Sequence, residues 1–322
     1  MLAKKRLIAG IRGGRTPLLL PSLSSKSGVP AVPDGMPRFF PELMSDPTLI
    51  SAYDVHYGLS ESPELAEVLF LDSGGYEALR DAQAAREGDR RGVENHPWNE
   101  DIYRKVLEEF PLRRPVVAVS FDHPDHPLAL EQQLDRADKL FPDRKGLLRE
   151  FLIKPNPDDA FIDIEVIKPH LDRLRKYPII GVTDKELGDS LFAKMLAVAR
   201  LRRALTDIDS EVPIHVFGSL DPLTAPLYFI AGADIFDGLA WLKYAFDAGR
   251  AIYPQNFDGV QLSSRRKTQV NTTRMWSHNY HYLARLTDAM RKFLQTQDYS
   301  HFAENGPLLE QAWVSLAESL ED

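Results

Sequence analysis

Cysteine is absent from the 322-residue chain. That absence excludes disulfides, thiolate nucleophiles and any cysteine-ligated zinc or iron–sulfur centre, and it leaves the redox compartment unreadable. No apolar run approaches transmembrane length. The basic start, Met1-Leu2-Ala3-Lys4-Lys5-Arg6-Leu7-Ile8-Ala9-Gly10, has too short an apolar stretch for a signal sequence, so a cytoplasmic location is the expectation. There is no low-complexity tract and no internal repeat beyond an alternation of strand-like and helix-like segments. A net charge of −8 argues against non-specific coating of a polyanion. What is present is ordinary for a soluble globular protein: 43% hydrophobic and 27% charged residues.

The charge is unevenly placed. Between Gln261 and Lys292 there are seven basic residues, Arg265, Arg266, Lys267, Arg274, Arg285, Arg291 and Lys292, against Asp288 alone. Trp276, Tyr280 and Tyr282 are interleaved with them. Basic residues with aromatics are the combination of phosphate contact and base stacking found in nucleic-acid grooves. The plainer alternative is an amphipathic surface helix with one solvated face.

Short apolar runs at about 68–72, 115–121, 151–154, 178–182, 213–217 and 233–236 read as buried parallel strands. Helical candidates lie between them at about 62–67, 99–109, 128–141, 164–175, 185–205 and 222–231. This alternation predicts a parallel sheet with helices outside. Closure into a barrel is favoured because chemistry-bearing residues fall at four strand ends: Asp72, Asp122, Gly181 with Thr183, and Asp237. A barrel gathers such ends at one mouth. The expected organisation is an α/β barrel domain over 1–275, with residues 1–60 as an elaborated N-terminus and 16–36 as a long extended loop near the mouth. A helical C-terminal extension over 276–322 packs on it.

Two of these strands end in aspartate: Val68-Leu69-Phe70-Leu71-Asp72-Ser73-Gly74-Gly75-Tyr76, and Ala233-Asp234-Ile235-Phe236-Asp237-Gly238. Each has a bland reading as turn chemistry, in which aspartate caps a helix and glycine permits positive φ. In the functional reading, two carboxylates divide labour as nucleophile and general acid/base. Residues three apart on a strand face opposite ways, so only one of Asp234 and Asp237 should face the pocket, and Asp237 is the one nearer the mouth. Asp122, an obligate acceptor when ionised, suits the N–H donors of a purine-like base. His123, Asp125 and His126 do not have the spacing of a helical zinc pair and read better as a solvated loop.

Taken together, Asp72-Ser73-Gly74-Gly75-Tyr76, Phe121-Asp122, His215-Val216-Phe217-Gly218 with Asp221-Pro222, Ala233-Asp234-Ile235-Phe236-Asp237 and His278-Asn279 resemble the tRNA-guanine transglycosylase family. The resemblance implies a (β/α)8 TIM barrel and an enzyme, a pentosyltransferase that exchanges guanine in tRNA or DNA for a 7-deazaguanine base. It makes Asp237 the nucleophile at ribose C1′ and Asp72 the acid/base. Asp122, Gly181, Tyr76, Ser73 and Lys154 would bind the base, and Arg265, Arg266, Lys267 and Arg274 the nucleic acid. The sequence departs from the family at its zinc site, where only His278 remains, so no metal and no cofactor are expected. Lys154-Pro155-Asn156 replaces a base-binding Gln-Gly-Gly, and the stretch Gly181 to Gly188 is also altered, with Glu186 near the family's glutamate. A non-catalytic subunit that binds nucleic acid or an active partner is the alternative; a homo-oligomer is equally compatible.

Overall fold

A computed structural model describes residues 1–27, 46–59, 66–86, 96–122, 127–260 and 268–321. Eight strands close into a barrel in chain order: β1 (Leu18–Leu23), β2 (Thr48–Ser51), β3 (Leu69–Asp72), β4 (Val116–Val119), β5 (Leu147–Ile153), β6 (Ile179–Thr183), β7 (Ile214–Phe217) and β8 (Ile235–Gly238). The pairings read from register are parallel, including β1 with both β2 and β8. Helices follow the strands, so this is a (β/α)8 barrel with a helical C-terminal extension. Strands buried on both faces need apolar side chains throughout, and Val116 to Val119, Ile179, Ile180, Val182, Ile214, Val216, Ile235 and Phe236 are all buried.

Residues 1–60 are more than an elaboration of the barrel, because they supply two of its strands. The stretch expected to be a loop over 16–36 contains β1, and residues 28–45 lie outside the described set. Pro21 sits within β1 and disguises it, since proline cannot donate to a ladder. The four residues of β2 are too few to show a period.

Two compact units divide the chain. One comprises Met1–Pro21 with Phe161–Asp322, and the other Ser22–Ala160.

In the Ser22–Ala160 unit, β2 to β5 are covered by α1 (Ala52–His56), α2 (Gly75–Arg86), α3 (Glu100–Glu109) and α4 (Leu130–Leu140). Asn99 starts α3 by accepting the Ile102 N–H at 3.0 Å. Behind β2 and β3, three buried carboxylates hold the segment that follows β1. Glu77 accepts from Ser24 and Ser51, Asp54 from Ser25, and Asp81 from Tyr53 with Lys26 at 2.6 Å.

In the other unit the helical expectation over 164–175 is broken into α5 (Ile164–Ile167), a short 3-10 turn and α6 (Leu171–Leu174). Pro169 lies in that turn and removes a helical donor. Likewise α7 (Leu191–Asp207) starts later than the periodicity indicated, where Ser190 accepts the Ala193 N–H. After α8 (Thr224–Ile230) and β8 come α9 (Ala240–Lys243), the antiparallel ribbon β9 (Ala245–Asp247) and β10 (Arg250–Ile252), and α10 (Pro254–Val260). The extension is α11 (Thr268–Thr296) and α12 (Gly306–Glu321). One helix thus runs across the domain boundary expected at residue 275. Phe293 of α11 packs on Phe229, Tyr299 and Phe302, which fixes the extension to this unit. Among the described residues no helix is long and apolar enough to cross a membrane.

Candidate active site

The Ser22–Ala160 unit holds Asp72, Ser73, Asp122 and Lys154 in one connected chain of contacts. Asp72 ends β3 half-buried, and its Oδ2 accepts the Gly74 N–H at 3.1 Å. Gly74 has φ +86°, and a Cβ there would come within 2.8 Å of Trp98 and Tyr53, so only glycine fits. Trp98 donates its indole N–H to the Ser73 carbonyl at 2.9 Å. Ser73 in turn donates its hydroxyl to Asp122 Oδ1 at 2.6 Å. A Cβ at Gly75 would lie 2.9 Å from both the carbonyl and Oδ1 of Asp122, which shows how closely the turn after β3 approaches that carboxylate.

Lys154 follows β5 and sets its Nζ 3.6 Å from Asp122 Oδ2. Ser73 and Lys154 therefore engage opposite oxygens of Asp122. A carboxylate has about four lone-pair sites, so each oxygen retains acceptor capacity. Tyr76 sits in the first turn of α2 with its ring exposed, and its hydroxyl donates to the Lys26 carbonyl at 3.4 Å. Beneath this group Tyr103 donates to the Val119 carbonyl at 2.6 Å. Burial, then the negative charges of Asp72, Asp122 and Glu150, push its phenol well above the usual range. Register places Asp72 level with Val119, which pairs with Glu150, so Glu150 shares that face of the sheet. Glu150 is fully buried. Its signal in the sequence was an Arg-Glu pair inside the otherwise apolar strand Leu147–Ile153.

The other unit holds Asp237. It lies on β8 with 6% of its surface exposed. Its Oδ1 accepts the Gly218 N–H at 2.9 Å, and His215 Nε2 stands 3.3 Å from the same oxygen. His215 is itself buried, with its ring stacked on Phe217 at 3.9 Å between centroids. The Leu220 N–H donates to the Asp237 carbonyl at 2.9 Å, closing the turn after β7 against β8. Gly181 is in register with His215, and His215 with Ile235. Gly181, His215 and Asp237 therefore lie on one face of β6 to β8, and the glycine adds no side chain beside the imidazole. His215 was visible in sequence only through the motif resemblance, because one polar residue within a short apolar run does not announce its partner.

Asp234, rejected for the pocket, has a different setting. It lies at the amino end of β8, gripped by Arg6 Nη1 at 3.0 Å, Arg202 Nη2 at 2.6 Å and the Thr16 hydroxyl at 3.2 Å. Burial brings the Arg202 guanidinium down to about 10 against the pull of Asp234. Asp184, just past β6, pairs with Lys194 at 2.7 Å and accepts from the Tyr228 hydroxyl. Glu186 has a largely buried side chain, 4.0 Å from Lys185 Nζ.

The aromatic part of the expected nucleic-acid groove is overturned. Trp276 and Tyr280 are buried, with the Trp276 indole donating to the Leu242 carbonyl at 3.0 Å. Tyr282 packs edge-on against Phe246. These rings form the inner stripe of α11, at helical three- and four-residue steps with Leu283, Leu286, Met290 and Phe293, all buried. Arg274 is half-buried on the same helix, while Arg265, Arg266 and Lys267 lie outside the described residues. So do His123, Asp125 and His126. His278 contacts the Phe246 carbonyl through Nε2 at 2.7 Å, and Asn279 donates to the Trp241 and Tyr244 carbonyls and accepts the Phe246 N–H. Among the described residues no group of three or more His, Cys, Asp or Glu could hold a metal ion.

The protein is a (β/α)8 barrel with carboxylates at the carboxyl ends of β3 and β8. No known protein-family model matches the chain, and no curated protein matches it either.

Proposed function

We propose that the chain is a transglycosylase that exchanges guanine in a nucleic acid for a 7-deazaguanine base. The observation that carries this reading is the setting of Asp237: a carboxylate at the end of β8, oriented through one oxygen by the Gly218 N–H and His215. Such a carboxylate is held in a fixed orientation at the end of a barrel strand, as a nucleophile requires.

In the reaction, a carboxylate oxygen of Asp237 bonds to ribose C1′ as the C1′–N bond to guanine breaks. The departing guanine takes a proton from Asp72. The incoming base returns a proton to Asp72, its nitrogen bonds to C1′, and the aspartyl ester breaks to restore Asp237. Two displacements retain configuration, as in retaining glycosidases, and a carboxylate stabilises the oxocarbenium-like centre. Asp122, set by Ser73 and Lys154, accepts N–H donors of the base, and the exposed ring of Tyr76 packs on its face. The parallel closed barrel supports this reading because such barrels open all their strand ends at one rim.

The test is incubation with radiolabelled guanine and, in separate reactions, bulk tRNA or duplex DNA. Label enters one polymer with the wild type and neither with Asp237→Ala or Asp72→Ala. Label entering neither polymer with the wild type overturns the enzyme reading and leaves the subunit alternative.

A further inference from the structure

With Trp276 and Tyr280 buried, the aromatic component of any polynucleotide contact must come from elsewhere. Among the described residues, Tyr244 and Tyr253 are two exposed aromatic side chains that adjoin each other, 40% and 62% exposed. Their ring centroids are 6.2 Å apart with planes tilted by 59°. They flank the last register pair of the β9–β10 ribbon, Ala245 with Ile252, and so form its next cross-strand pair. Exposed Lys243 adjoins Tyr244 in the chain.

The ribbon is braced rather than loose. The side chain of Asn279 engages Trp241, Tyr244 and Phe246, the Trp276 indole engages Leu242, and His278 engages Phe246. These contacts satisfy carbonyls left open at the end of the four-residue helix α9. The Tyr244 carbonyl is thereby fixed, and its N–H donates to the Ala240 carbonyl at 2.9 Å. Tyr244 is also seven residues beyond Asp237, which bounds their separation at about 25 Å.

Scattered exposed hydrophobics are normal on a protein surface. An adjoining pair of exposed rings with phenolic tips, one on a braced backbone next to a lysine, has the composition of a platform on which unpaired bases stack while a cation meets phosphate. We propose that Tyr244 and Tyr253 bind a single-stranded segment of the nucleic acid near the nucleotide whose base is exchanged. This rests on the function proposed above and assigns part of its polymer contact to β9 and β10.

The experiment measures fluorescence anisotropy of a labelled RNA stem-loop, a fully paired RNA duplex and a single-stranded DNA. Each is titrated with wild type, Tyr244→Ala/Tyr253→Ala and Tyr244→Phe/Tyr253→Phe. The alanine pair should weaken binding to an unpaired strand by about tenfold or more, with the phenylalanine pair close to wild type and duplex binding little changed. Preference between the stem-loop and the DNA strand identifies the polymer. Unchanged affinity in the alanine pair overturns the platform and leaves base exchange standing. Wild-type protein that binds no strand overturns the polymer reading itself. A loss of self-association by light scattering, with strand affinity intact, makes the patch a contact between copies and also overturns the proposal.

Discussion

Asp234, just before β8, and Asp237, on it, are both buried, yet they are held by different chemistry. Two arginines and a threonine hydroxyl surround Asp234 at the amino end of the strand. One backbone N–H and an imidazole orient Asp237 at the carboxyl end. A carboxylate matched by full opposite charges is a structural anchor, because its charge is spent on its partners. In the function proposed above, the carboxylate oriented by a backbone dipole and an imidazole is the nucleophile. A third setting occurs in the Ser22–Ala160 unit. There Glu77 is held by the hydroxyls of Ser24 and Ser51, and burial followed by repulsion from Asp54 pushes its carboxyl up to about 7.

The largest expected effect lies at the anchor. Asp234→Ala leaves Arg6 and Arg202 buried without their shared partner and should cost about 3–5 kcal/mol, read as a lower urea midpoint with unchanged slope. If Asp234→Ala instead kept full stability and lost activity, the division of roles on β8 would be reversed. Next comes Gly75→Ala. Its Cβ, 2.9 Å from Asp122, must push that carboxylate or the turn aside, at about 1–3 kcal/mol. Affinity for free guanine should fall while the rate of aspartyl-ester formation at saturating base changes less.

Smaller is the effect of His215→Phe, which keeps the stack on Phe217 but removes the contact to Asp237. Ester formation should slow about tenfold, the worth of one interaction with a charged group of about 1.5 kcal/mol. The smallest is a pH effect at Glu77. Its folded pKa is raised from 4.5 to about 7, so the folded state holds the proton more tightly than the unfolded chain. The stability this contributes is complete below about pH 4.5 and is lost as pH rises through 7. Glu77→Gln should flatten that slope, matching wild type in thermal melts near pH 5 and exceeding it near pH 8. Asp234→Asn should show no comparable gain.

Much of this was legible in the amino-acid order. Strands β3 to β8 announce themselves because buried parallel strands are short apolar runs, and the aspartates that end β3 and β8 stand out against them. β1 and β2 did not, because Pro21 interrupts one and the other is four residues long. The aromatic residues of α11 were misassigned for a different reason. Basic residues interleave with these aromatics in sequence as they do in a nucleic-acid groove, while the steps from Trp276 to Tyr280 and Leu283 describe a core stripe. Contacts such as His215 with Asp237 join residues on adjacent strands, and strand pairing is what brings them together.

The claim that Asp237 is the nucleophile is tested most directly by mass spectrometry of the acid-quenched enzyme after incubation with its polynucleotide and nuclease trimming. The account predicts a ribose-linked adduct on the peptide containing Asp237, present in wild type and His215→Phe and absent in Asp237→Ala. An adduct that persists in Asp237→Ala, or one that maps to Asp72 or Asp234, would contradict it.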